Sequence, residues 1–99
     1  MKKDTTITDF LHQIEPLMHT HNLQIVDHWK ADLCAIGIQK ESKLIYISTY
    51  NYLTESVVQY DFDLELIDDS DTTNSTIVKE GRKVAAQELI QELKTFFNI

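Results

Sequence analysis

The sequence predicts an α+β fold: a two-layer domain whose four- or five-stranded antiparallel sheet carries N- and C-terminal helices packed on one face. Three observations lead there. Apolar residues recur at three- and four-residue spacing near both ends of the chain. Between them lie short segments rich in β-branched and aromatic residues, one of which alternates strictly. The connections between those segments are too short for parallel crossovers, which need about a dozen residues or more.

The first stripe is Ile7, Phe10, Leu11, Ile14, Leu17, Met18 and His21. Thr6 or Thr8 is suited to cap the helix, with Asp9 near its positive end. Pro16 is expected to kink this helix or end it near Ile14, with a further turn to Thr20. Strands follow over 23–29, 33–39 and 44–50, joined by the polar turns Lys30-Ala31-Asp32 and Lys40-Glu41-Ser42-Lys43. The run 33–39 is nearly all apolar, as in a strand covered on both faces. From Val58 to Leu66 the even positions are Val58, Tyr60, Phe62, Leu64 and Leu66, and the odd ones are Gln59, Asp61, Asp63 and Glu65. That period of two gives an apolar face and a face bearing three carboxylates. Residues 75–79 suit a short edge strand, with Gly81 in the turn after it. Ala85, Ala86, Leu89, Ile90, Leu93, Phe96 and Phe97 form the second helical stripe, starting near Ala85. With both helices on one side of the sheet, Asp61, Asp63 and Glu65 are expected to project from an open face.

Ninety-nine residues supply one core, so a single domain over 1–99 is expected. The net charge is −7 and it is unevenly placed. From Leu44 to Val78 there is no Lys or Arg, but there are seven acids: Glu55, Asp61, Asp63, Glu65, Asp68, Asp69 and Asp71. Direct nucleic-acid binding is disfavoured, because it needs clustered Lys and Arg to replace counterions. An acidic patch suits a basic protein instead. Cys34, the only cysteine, sits in an apolar run without a basic neighbour and reads as a buried inert thiol. The N-terminus is not followed by the apolar stretch of a signal peptide, and no window reaches the length of a membrane span. A cytoplasmic protein is the expectation.

Catalytic chemistry finds little footing. His12, His19 and His21 are separated by seven, nine and two residues, so none forms the i, i+4 pair of a helical zinc site. Asp61, Asp63 and Glu65 could in principle hold Mg²⁺ for a hydrolase, but an open strand face offers no cleft to perturb their pKa values. The run Asp68-Asp69-Ser70-Asp71 lacks the spacing and closing Glu of a calcium loop. No catalytic residue, metal or cofactor is expected. What remains is a recognition surface built from Asp61, Asp63, Glu65, Asp68, Asp69 and Asp71, with Tyr50 and Tyr52 as aromatic anchors at a strand end. Tyr46 reads as sheet packing.

Three segments, 44–53 (LIYISTYNYL), 57–66 (VVQYDFDLEL) and 88–97 (ELIQELKTFF), taken in this order, resemble the small acidic immunity proteins of bacterial contact-dependent growth inhibition and polymorphic-toxin systems. The resemblance lies in size, charge and element order and covers 44–97. It implies a cytoplasmic inhibitor that binds the C-terminal toxin domain of its own system and blocks its active site. Such toxins are often nucleases with basic clefts, so the carboxylates of 61, 63 and 65 would stand in for substrate phosphates. The implied state is a monomer or weak dimer, with no membrane partner. A small acidic secretion-chaperone-like protein, holding an effector in an apolar groove, is the competing expectation.

Overall fold

The computed structural model describes residues 2–68, 70 and 74–99. The elements run α1 (Thr5–Thr20), β1 (Gln24–Val26), β2 (Ala35–Lys40), β3 (Lys43–Ser48), a 3₁₀ turn (Tyr50–Tyr52), β4 (Tyr60–Ile67), β5 (Ser75–Val84) and α2 (Ala86–Phe97). The five strands form one antiparallel sheet in the order β1-β2-β3-β4-β5. This is the α+β class that periodicity and short connections predict.

The sheet register explains the core. Ile36 pairs with Ile47, Ile47 with Phe62, Ile38 with Ile45 and Ile45 with Leu64. Directly paired residues share a face, so these six line one side of the sheet. Phe10 and Ile14 of α1 and Leu89, Leu93 and Phe97 of α2 bury themselves in the same cluster. Both helices therefore cover that side.

α1 starts at Asp4 rather than at a threonine. Asp4 Oδ2 accepts the Thr6 N–H at 3.0 Å, and Asp4 N–H is itself held by the Leu33 carbonyl. Thr6 Oγ1 instead bonds Asp4 and Thr49 Oγ1, tying the helix start to the end of β3. The helix runs through Pro16 without ending. Pro16 lies on the exposed side, where water can take up the carbonyl that its missing N–H leaves free, while Phe10, Leu11 and Ile14 are pinned on the buried side.

Two further features differ from the sequence expectation. The second face of the sheet is not wholly open. β1 ends at Val26 because Asp27 turns away to accept from Lys3 Nζ at 3.0 Å and from the Trp29 N–H. Lys3, with its side chain only 2% exposed, also donates to the carbonyls of Trp29 and Asp32. This folds residues 27–33 so that Trp29 packs on Tyr46, ring centroids 4.7 Å apart. A Cβ at Gly37 would meet Val26, Leu44 and Trp29 within 2.8–3.0 Å, so a small second core closes over β1–β3. β2 is thus covered on both faces, as its apolar run predicts.

β5 is also longer than 75–79, and Gly81 is a strand residue, not a turn. Gly81 pairs with Phe62, and a Cβ there would lie 1.9 Å from Phe62 Cε1. The Phe62 ring lies across the glycine backbone, which only a residue without a side chain allows. α2 begins without a side-chain cap at Ala85 and ends at Asn98 in the left-handed conformation, whose N–H, with that of Ile99, satisfies the last carbonyls.

Candidate functional site

The face of β3 and β4 opposite the helices carries Tyr46 and Ser48 on β3 and Asp61, Asp63 and Glu65 on β4. The register sets Ser48 opposite Asp61 and Tyr46 opposite Asp63. The strict alternation thus places all three carboxylates on the face away from the helices. They do not stand bare there.

Asp61 is only 9% exposed. Tyr60 pairs with Val84 and Phe62 with Gly81, so Arg82 and Lys83 bulge opposite the single residue Asp61. Lys83 takes a φ of 56°, and the N–H that the bulge frees is accepted by Asp61 Oδ1 at 3.1 Å. The Tyr52 hydroxyl donates to the same oxygen, and Asn51 Nδ2 donates to Oδ2 at 3.1 Å. Burial pushes the Asp61 carboxyl up, but the hydrogen bonds from Tyr52, Lys83 and Asn51, with the Arg82 charge, outweigh it and hold it below the usual aspartate range. Tyr52 moves the opposite way: its hydrogen bond to Asp61, then burial and that charge, raise its hydroxyl above the ordinary value. Tyr52 is thus a partner of Asp61 first and an anchor second.

Arg82 Nη1 reaches Asp63 Oδ1 at 3.2 Å and the Phe62 carbonyl at 3.1 Å, and Nη2 lies 3.5 Å from Glu80. Glu65 accepts from Ser75 Oγ at 2.7 Å. Asp68 accepts from the N–H and hydroxyl of Ser70, closing a local turn. Asp69 and Asp71 lie outside the described residues. Tyr50 is 66% exposed.

A concavity of about 310 Å³ opens on this face, lined by Asp32, Tyr46, Ser48, Tyr50, Asn51, Asp61 and Arg82. Burial raises the Tyr46 hydroxyl above its ordinary pKa; Ser48 opposes this by a hydrogen bond, while the charges of Asp32, Asp63 and Asp61 add to it. Asp32 and Asp61 line the concavity with Tyr46, Asp63 is the cross-strand partner of Tyr46, and the Arg82 guanidinium lies beside them. Asp61, Tyr50 and Tyr46 belong to this group, whereas Glu65 lies farther along β4 and Asp68 beyond its end.

Asp32, Asn51 and Arg82 were not legible as site residues. Asp32 reads as part of a turn, and its arrival depends on Lys3 holding 27–33 across the sheet. A strand ending at 79 leaves Arg82 outside the sheet: the acidic stretch from Leu44 to Val78 has no cation of its own, but the longer β5 brings Arg82 alongside it. Among the described residues, no three His, Cys, Asp or Glu side chains converge as a metal-holding group, and no helix is long and apolar enough to cross a membrane. Compared with protein-family models, with curated proteins and with solved structures, the chain finds no match.

Proposed function

We propose that this chain is a cytoplasmic immunity protein, not an enzyme, that binds and neutralises a cognate bacterial toxin domain by covering its basic, nuclease-type active-site cleft with an acidic surface. The observation that carries this reading is the placement of Asp32 and Asp61 in one concavity with Tyr46, whose cross-strand partner is Asp63, on a face that neither helix covers. A patch of net negative charge beside exposed aromatic surface attracts a basic protein and orients it. The resemblance of 44–97 to small acidic immunity proteins points the same way.

The test is co-expression with the C-terminal domain encoded by the adjacent upstream reading frame. Protection of growth and a one-to-one complex in calorimetry are expected. Asp63→Lys with Glu65→Lys should weaken the complex, since both side chains are only half-buried. Asp61 is unsuited to charge reversal because it clamps the β5 bulge. An upstream domain that is not basic, or that stays fully toxic beside the chain, overturns the reading.

One feature favours a second reading, a secretion-chaperone-like protein. A groove of about 580 Å³ runs between α1 and β1, with Leu11, Met18, Leu23 and Ile25 among its lining residues. A chaperone would bind the unfolded effector and release it on folding, whereas an immunity protein binds the folded toxin. Calorimetry with the native and the denatured toxin domain separates the two.

A further inference from the structure

The connections β1–β2 and β3–β4 emerge at the same end of the antiparallel sheet, and there they leave apolar surface uncovered. Leu33 is 49% exposed, Tyr50 66% and Leu53 45%. These three, with Ala31, Asp32 and Cys34, line a second concavity of about 450 Å³. Asp32 and Tyr50 also line the acidic concavity described above, so the two share a wall. One is apolar; the other has carboxylates and aromatic rings. None of Leu33, Tyr50 and Leu53 belongs to the buried core or to the side chains packed against it.

We infer that this loop end is the centre of the partner interface, and that it takes a segment of the toxin domain bearing a basic side chain next to an apolar one. The basic group enters the concavity between Tyr46, Tyr50 and Asp32, and the apolar one rests on Leu33 and Leu53. Charge complementarity selects the occupant. Asp32 Oδ1 is spent on the Cys34 N–H at 2.9 Å, and among the described residues no donor reaches Oδ2. The exposed ring of Tyr50 offers a π-face to a cation. Arg82 does not fill this role, since its guanidinium is engaged by Asp63 and Glu80. An acidic or purely apolar segment would cover the Asp32 carboxylate without supplying a counter-charge, which is unfavourable. The inference rests on the inhibitor reading for the identity of the partner and relocates its main contacts from the middle of β4 to Tyr50.

The probe is the capped dipeptide N-acetyl-arginyl-leucine amide, titrated into the ¹⁵N-labelled protein and followed by amide chemical shifts. Shifts are expected at Leu33, Ser48, Tyr50, Asn51 and Leu53. Replacing arginine by citrulline, its neutral isostere, should weaken binding at least about fivefold. Asp32→Asn keeps the acceptor for Cys34 and should abolish the preference for arginine over citrulline. Leu53→Ser should reduce the preference for leucine over serine in the probe. Equal binding of the arginine and citrulline probes, or shifts dispersed away from this end of the sheet, overturns the inference. The two proposals fail separately. A toxin domain bound with unchanged affinity by Tyr50→Ala and Asp32→Asn leaves the inhibitor reading intact and removes this one. Specific probe binding without any affinity for a basic toxin domain does the reverse.

Discussion

At Asp61, three donors from two places in the chain converge on one carboxylate: the Tyr52 hydroxyl and the Asn51 amide from one turn, and the Lys83 backbone N–H from β5. Removing the acceptor leaves those donors unpaired beside a bulge whose Lys83 already holds an unfavourable φ. Asp61→Ala should cost about 2–3 kcal/mol at neutral pH, read from urea unfolding. Asp61→Asn should cost less, because the Asn51 amide can turn to offer its oxygen. The pH dependence follows from the direction of the shift. The folded carboxyl sits below its unfolded value, so its stabilisation is complete above the ordinary aspartate pKa, about 4, and fades as pH falls through the lower folded value. Unfolding curves of the parent and Asp61→Ala should therefore converge in acid. A gap that stays constant down to low pH would show that the carboxylate charge is not what holds the bulge.

β4 and β5 show what element-level reasoning can and cannot read. The alternation of 58–66 places Phe62 and Leu64 in the core and Asp61 and Asp63 opposite, because a strand's period of two is local and needs no knowledge of its neighbour. Burial of Asp61 is not local: it depends on where Tyr52 and Lys83 arrive. Likewise Gly81 reads as a turn until Phe62 is known to lie across it. Gly81→Ala should destabilise by about 1–3 kcal/mol, from overpacking. Combining it with Phe62→Leu should cost less than the sum of the two single changes, since the crowding is between these two residues. Strict additivity would place the glycine requirement elsewhere. In α1, the intrinsic cost of Pro16 alone predicts a break, but the buried stripe of Phe10, Leu11 and Ile14 overrides it. The helix is already formed on both sides of Pro16. Pro16→Ala should therefore raise stability by about 1–3 kcal/mol in thermal or urea unfolding. Loss of stability in that variant would mean that the proline's restriction of the unfolded chain outweighs the missing hydrogen bond.

The charge of the whole molecule is divided between its elements. β5 carries Lys79, Arg82 and Lys83 along one edge of the sheet, while Asp32, Asp61, Asp63 and Glu65 belong to the face and loop end beside it. The net −7 is thus a field with direction. Lys79 is engaged by Glu92 of α2 at 2.7 Å and Arg82 by Asp63, which draws the cations toward internal partners and leaves the loop end negative. Steering by such a field acts before contact, over a Debye length of about 10 Å at 0.1 M salt. A basic toxin domain should associate more slowly as salt rises, while its dissociation rate, set by the contacts at Tyr50 and its neighbours, changes little. Asp63→Asn with Glu65→Gln should lower the association rate by about two- to tenfold at low salt, and the difference should vanish at high salt. Tyr50→Ala should act on dissociation instead. Stopped-flow mixing at two ionic strengths measures both rates. If the double variant changed mainly the dissociation rate, Asp63 and Glu65 would be contact residues in the complex, and attraction at a distance would not be their role.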